Sequence, residues 1–286
     1  MDELWMPDWY LNTLVLLFGA CVGSFLNVVI YRMPEGKSVV RPRSRCRCGA
    51  EIAWYDNLPV LSWFLLRGKC RRCGAPFSFR YPLVEVGTAL VFLQLWRVGG
   101  WPEGLVWIFF AAMMIPAAFI DWDTMEIPDT FSIGGFIAGV ILSVLVPSIH
   151  GIDPSGLAFV DALKGFTAGV LGAFVGSGLI LWVALVAETV LRKEAMGFGD
   201  VKLMGAIGAF CGWQGAIFAF FGGAVVGCLL LLVMWPWLRR KEKEDEEANR
   251  VPFGPSLAAG GLLYLLYAKP YVTAYFANIQ EVFQSI

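Results

Sequence analysis

Apolar residues in this chain come in long runs, not in the short periodic clusters that build a water-soluble core. A helix rises about 1.5 Å per residue and the hydrocarbon of a bilayer is about 30 Å thick, so about 20 mostly apolar residues cross it. By that measure the pattern predicts eight transmembrane helices, near residues 9–31, 82–98, 103–122, 127–147, 164–191, 199–213, 215–238 and 254–276. The first run is long and begins among acids (Asp2, Glu3, Asp8), which does not fit a signal peptide, so no cleavage is expected there. The polar positions gather between the runs, above all in residues 32–81.

Composition strengthens the membrane reading. Of 286 residues, 58 % are hydrophobic and 15 % aromatic, and the mean hydropathy is +0.65. The 32 glycines suit helices that pack closely without a hydrophobic drive between them. A formal net charge of −1 says little, but the placement of charge says more. Residues 32–81 hold eleven basic side chains against Glu35, Glu51 and Asp56, which makes this loop cytoplasmic by the positive-inside rule. Eight crossings then put the turns near Trp122, Arg192 and Arg239 on the same side and both termini on the other. The turns at 98–101, 148–156 and 212–215 contain no Lys or Arg, as the outer side requires. The charge run 239–250 nearly cancels in sign and reads as a solvated linker, not as a tail for nucleic acid or acidic lipid.

Seven cysteines divide into two groups. Cys21, Cys211 and Cys228 lie in apolar runs, where a thiol behaves as a small hydrophobe. Cys46 and Cys48 in "CRCG", and Cys70 and Cys73 in "CRRCG", lie in the cytoplasmic loop, each pair closed by a glycine that permits the tight turn pointing thiolates inward. A reducing cytoplasm disfavours disulfides, and four such thiolates point to structural zinc, whose binding supplies folding energy to a loop with little core of its own. The first pair is C-x-C where C-x-x-C is usual, so its knuckle is expected to be distorted, or to lack one ligand. The lone histidine, His150, falls on the opposite side of the membrane.

Acids gather at the cytoplasmic face. "FIDWDTMEIPD" carries Asp121, Asp123, Glu126 and Asp129, and "GFGDVKLMGAIGAF" carries Asp200. Asp129 suits a helix start after Pro128, and Asp200 could be an N-cap. Asp123 reads as a solvated interface charge. Asp121 has no such explanation: it ends an apolar helix, where the dipole opposes an anion and an ionisable group is costly unless paired or working. Residues 201–213 make only about 20 Å of helix, short of the bilayer, so Asp200 is expected to dip below the headgroups and meet Asp121. Two carboxylates in one site titrate as a unit. One keeps a proton and polarises a peptide carbonyl while the other takes a proton from the attacking water, the chemistry of aspartic proteases.

The stretches "GSFLNVVIYRMP" (23–34), "WYDNLPVLSWFLLRGKCRRCG" (54–74), "RYPLVE" (80–85), "FIDWDTMEIPD" (119–129), "AMGFGDVKLMGAIGA" (195–209) and "PFGPSLAAGG" (252–261), in this order, resemble the bacterial prepilin peptidases, the type IV leader peptidase family of GxGD aspartic proteases. The resemblance implies that Asp121 and Asp200 are the catalytic aspartates and that Cys46, Cys48, Cys70 and Cys73 form the zinc site. It also implies two activities: cleavage of type IV prepilins or type II secretion pseudopilins after a glycine, then N-methylation of the exposed residue, usually Phe, from S-adenosylmethionine. Gly68, before the third cysteine, matches the glycine associated with methyl transfer.

The expected fold is therefore an all-α polytopic membrane protein of about eight transmembrane helices with a small cytoplasmic four-cysteine zinc-binding loop domain. Its expected parts are a first transmembrane helix (1–31), a zinc- and methyltransferase-associated domain (32–81) and a transmembrane aspartic peptidase domain (82–286). The expected setting is the bacterial inner membrane, with both aspartates at the cytoplasmic face, prepilins or pseudopilins as substrates, lipid as the surroundings and no nucleic acid. A basic leader meeting a basic loop calls for acids, and Glu35, Glu51, Asp56, Glu85 and Glu126 are the candidates. Two other readings of the same residues remain: an ion-coupled transporter relaying protons through its carboxylates, and a non-catalytic zinc-bearing membrane adaptor.

Overall fold

The computed structural model of the chain describes residues 7–192, 196–241 and 252–284. Asp2 and Glu3, the turn just after Arg192 and most of the charge run 239–250 lie outside the described residues. Among the described residues the fold is all helical, with isolated bridges in place of strands. The helices are α1 (Asp8–Arg32), α2 (Leu61–Leu65), α3 (Arg80–Gly99), α4 (Glu103–Thr124), α5 (Asp129–Leu145), α6 (Ala158–Leu191), α7 (Phe198–Lys241), α8 (Gly254–Leu263) and α9 (Lys269–Gln284), the last two joined by a π-helical turn at Tyr264–Ala268.

All eight predicted apolar runs fall on helix. Four stretches, Asp8–Arg32, Glu103–Thr124, Ala158–Val190 and Phe198–Val233, are long and apolar enough to cross a membrane, and Asp129–Leu145 is a shorter apolar helix. The runs 199–213 and 215–238 are the two helical arms of α7, which meet at non-helical backbone at Gly212 (φ 71°, ψ 177°). A side chain is strained at that φ, so glycine marks the break.

The chain divides into two compact units, Met1–Pro116 and Ala117–Ile286. In the first, α1 lies against α3 through Gly19 and Gly23. A Cβ at these positions would stand 2.7 Å from the Ala89 Cα and 2.8 Å from the Glu85 Cα, so only glycine permits this backbone approach. Asn27 of α1 donates to the Tyr81 carbonyl at 3.1 Å. Between these helices, residues 33–79 form the cysteine loop. Its middle contains a γ-turn of the strained kind: Val60 has φ 63° and ψ −54°, and the Leu61 N–H bonds the Pro59 carbonyl at 2.6 Å. A β-branched residue held there costs on the order of 1–3 kcal/mol and persists only when its surroundings fix it.

In the second unit glycines again set the packing. Gly172 of α6 and Gly208 of α7 face each other so closely that a Cβ on either would strike the other's backbone carbonyl. A Cβ on Gly176 would meet both the Met204 carbonyl at 2.5 Å and the Ala216 Cβ at 3.4 Å. Both arms of α7, before and after Gly212, therefore lie on the glycine face of α6. On the second arm, Gly223 receives α8 at Ser256 and Leu257. Large apolar side chains such as Phe174, Trp182, Leu232 and Val233 face outward instead, as a lipid-facing surface requires.

Candidate active site and metal centre

The cysteine loop builds its site from two short hairpins. One is closed by a bridge between Arg45 and Glu51 and the other by a bridge between Lys69 and Pro76. Cys46 N–H donates to the Ala50 carbonyl at 2.9 Å and Cys70 N–H to the Ala75 carbonyl at 2.8 Å, so the first hairpin is one residue shorter. Gly49 (φ 82°) and Gly74 (φ 69°) turn each one, with open space where a Cβ would stand; conformation, not room, selects glycine. The four Sγ atoms of Cys46, Cys48, Cys70 and Cys73 lie within 4.8 Å of one another, and those of Cys46 and Cys73 are 3.6 Å apart. Tetrahedral zinc with Zn–S of about 2.3 Å separates its sulfurs by about 3.8 Å, so the cluster fits that ion. The expectation that the contracted pair could lack a ligand is corrected: the shorter hairpin still delivers both sulfurs. Backbone N–H groups of Cys73 and Arg72 bring the Cys70 thiol down to about 7, which favours the thiolate a metal needs.

Gly68 has a structural reason of its own. Its φ is 66°, its N–H bonds the Trp63 carbonyl at 2.8 Å, and a Cβ would stand 2.9 Å from the Trp63 ring. The expected acidic attractors are mostly engaged within the chain: Glu35 with Lys37, Glu51 with Arg45, and Asp56 in a forked pair with Arg71. Glu85 accepts the Val60 N–H at 2.7 Å.

The second unit brings Asp121 and Asp200 together. Asp121 sits in the last turn of α4 and is 5 % exposed; Asp200 sits in the first turn of α7 and is 8 % exposed. Their carboxyl groups are within electrostatic reach of each other although 79 positions separate them in sequence. Asp200 is not an N-cap: α7 begins two residues earlier, and its backbone N–H bonds the Gly197 carbonyl at 3.1 Å. Asp121 Oδ2 accepts the Gly254 N–H at 2.9 Å from the start of α8. Ile127 fills the space between: its side chain lies 3.1 Å from where a Gly254 Cβ would stand and 3.5 Å from where one on Gly199 would. The two glycines thus let the α8 and α7 backbones close on the acids from either side.

Asp129 opens α5, as expected, but its carboxylate is not idle: it pairs with Lys202 of α7 at 2.8 Å. Lys202 Nζ also stands 5.7 Å from the centre of the Phe198 ring. Asp123 and Glu126 are exposed. Sequence reasoning gave Gly254 and Lys202 no role. The one usable signal was "PFGPS", a glycine beside two prolines directly after a charge run.

His150 lies away from this pair. Its Nε2 is 2.8 Å from Ser143 Oγ, and its Nδ1 lies 3.2 Å from where a Gly212 Cβ would stand, so it belongs to the break in α7, about 18 Å of helix from Asp200. Ser143 is fully buried and its hydroxyl faces the Gly139 carbonyl at 2.7 Å and the Ala209 carbonyl at 3.1 Å. Ala209 is the residue four before Trp213, and the non-helical backbone at Gly212 lies between them. Ser143, itself in contact with His150, therefore offers its hydroxyl to a carbonyl beside the interruption.

A buried aspartate pair at the ends of apolar helices, in a chain with four helices able to cross a membrane, defines the class: helical membrane proteins with a carboxylate site among their helices. Residues 17–98 match the bacterial peptidase A24 N-terminal domain and residues 108–232 match the type IV leader peptidase family. The chain is 42 % identical over 245 residues to the prepilin leader peptidase/N-methyltransferase of Myxococcus xanthus (strain DK1622), covering 83 % of this chain and 69 % of that one. It is 32 % identical over 304 residues to the protein of the same name from Aeromonas salmonicida (strain A449), covering 95 % and 96 %. It is 35 % identical over 266 residues to the type 4 prepilin-like proteins leader peptide-processing enzyme of Escherichia coli O78:H11 (strain H10407 / ETEC), covering 85 % and 89 %. The chain belongs to the type IV leader peptidase family. No solved structure matches it. Neither the transporter nor the adaptor reading finds support among these relatives.

Proposed function

We propose that the chain cleaves the leader of type IV prepilins or type II secretion pseudopilins with Asp121 and Asp200, and then N-methylates the new N-terminal residue, usually Phe. The observation that carries the first activity is the convergence of Asp121 and Asp200 in a buried site, with Asp121 held by the Gly254 N–H. One carboxyl holds a proton and polarises the scissile carbonyl. The other takes a proton from water as the water oxygen bonds to the carbonyl carbon, and the proton then passes to the leaving amine. Low solvent access strengthens each of these interactions.

The second activity is supported by the names of the relatives, with S-adenosylmethionine as the methyl donor. Cys46, Cys48, Cys70 and Cys73 hold zinc in a structural role, shaping the loop in which Gly68 lies close to the methyl transfer. The full arrangement is about eight crossings in the bacterial inner membrane, with the 32–81 domain and both aspartates on the cytoplasmic side, the 82–286 region as the peptidase and lipid around it. The excess of basic residues in 32–81 supports that orientation.

The test is incubation of the purified protein in detergent with a prepilin, with and without S-adenosylmethionine. Asp121→Ala and Asp200→Ala should each abolish cleavage, while methylation of a pre-cleaved pilin continues. Retained cleavage in either variant defeats the aspartate assignment.

A further inference from the structure

We propose that Glu85 is a positioning residue for the methyl transfer, holding the γ-turn at Val60 and so docking the four-cysteine loop on α3. The proposal rests on the methyltransferase reading above and assigns Glu85 no part in cleavage.

Glu85 lies in the second turn of α3 and is 8 % exposed. Its Oε2 accepts the Val60 N–H at 2.7 Å, and the Ser24 side chain of α1 lies near the carboxylate. One acid thus fastens the middle of the loop to α3 at the point where Gly23 of α1 packs on its backbone. Val60 is the residue that most needs such a tie, because a β-branched side chain at φ 63° holds that shape only under outside constraint. The N–H that Glu85 binds belongs to this strained residue itself.

From the turn, a short series of contacts leads to the metal centre. α2 starts at the next residue, and Trp63 within it packs edge-on against Phe64 and Phe79. The Trp63 carbonyl receives the Gly68 N–H and the Trp63 ring covers the face of Gly68, two residues before Cys70. Arg67 and Gly68 both have positive φ, and the Gly68 carbonyl receives the Phe77 N–H at 2.7 Å, which fixes the base of the second cysteine hairpin. Release of the Val60 turn therefore frees α2, and with it the platform under Gly68. The acceptor oxygen is what the turn requires, not the negative charge as a reactant.

Four full-length proteins in detergent test this: wild type, Glu85→Gln, Glu85→Ala, and Glu85→Ala combined with Val60→Gly. Alanine leaves the Val60 N–H without its acceptor, and methylation of cleaved prepilin should fall about tenfold or more. Glutamine still presents an oxygen to the N–H, so Glu85→Gln should stay within about threefold of wild type. Glycine adopts the turn at no steric cost, so Val60→Gly should restore at least about threefold to the alanine variant. Hydrogen exchange of residues 58–68 should be faster in Glu85→Ala than in wild type or Glu85→Gln, and prepilin cleavage should change by less than about twofold throughout. The proposal is overturned if Glu85→Gln is as impaired as Glu85→Ala, if exchange at 58–68 is unchanged in Glu85→Ala, or if cleavage falls in step with methylation. A wild-type protein that cleaves but never methylates overturns the second activity itself, and the exchange measurement then still decides whether Glu85 docks the loop.

Discussion

Replacing Gly254 with Ala isolates the geometry of Asp121. The new Cβ would stand 2.6 Å from Asp121 Oδ2 and 3.1 Å from Ile127 Cδ1, closer than carbon and oxygen tolerate. Something must shift, and the nearest atom that can is the proposed catalytic carboxylate itself, a short side chain already committed to the Gly254 N–H at 2.9 Å. Losing a hydrogen bond to a charged group is worth about 1.5–3 kcal/mol, which at about 1.4 kcal/mol per decade is roughly a 10- to 100-fold loss. A displacement of about 1 Å at a reacting group costs about 100-fold by itself. Cleavage of prepilin should therefore drop by about two orders of magnitude in kcat/KM. Gly254 is the first residue of α8 and its φ lies outside the left-handed region, so alanine suits the backbone there, and size-exclusion chromatography checks that the variant folds. The assay is a gel-shift time course of leader removal at sub-saturating substrate, with methylation of a pre-cleaved pilin as the internal control. Cleavage by Gly254→Ala within about threefold of wild type would refute the placement of Asp121 as a reacting group held by this N–H.

Chelation of the metal should release one zinc per chain and expose the cysteine loop to protease, since ion binding supplies the folding energy of so small a unit; metal analysis of the purified protein and of Cys48→Ser checks the ligand set. Lys202→Ala breaks the ion pair with Asp129, whose side chains are 33 % and 62 % exposed, so cleavage should fall less than about fivefold, read in the same time course. Ser143→Ala leaves the Ala209 carbonyl without its hydroxyl and should lower stability by about 1–3 kcal/mol, read as a lower melting temperature in detergent. Burial, with the Lys269 ammonium nearby, holds His150 down at about 4, below its ordinary 6.5. The folded chain then binds fewer protons than the unfolded one between those values, so its stability is full above about pH 6.5 and should decline as pH falls toward 4, a slope that His150→Gln should reduce.

Much of the site is legible in the residues themselves. Asp121 stands out because an acid at the C-terminal end of an apolar helix has no local reason to be there, and Asp200 because the helix it opens is short. The cysteines are legible because metal ligation is written in spacing and flanking glycine, and even the contracted first pair needs only one residue less of hairpin. Gly254 is not legible as a partner of Asp121, because 133 positions separate them and a backbone N–H leaves no mark on residue type. Glu85 reads only as one acid among several near a basic loop, because the strain at Val60 that gives it a task is a matter of φ and ψ.

Hydropathy by itself determined that the chain is helical and built for a membrane, since a bilayer imposes length and apolarity on each segment independently of its neighbours. It also determined where the cysteine loop and the break at Gly212 would fall. The tertiary structure alone decided which glycines are contact points, that both arms of α7 lie on α6, and that a buried serine hydroxyl reaches the carbonyl beside the break. Above all it decided that two acids 79 residues apart share one site. Such pairings are set by how closely backbones approach, and that distance depends on both partners at once, while a sequence states each residue alone.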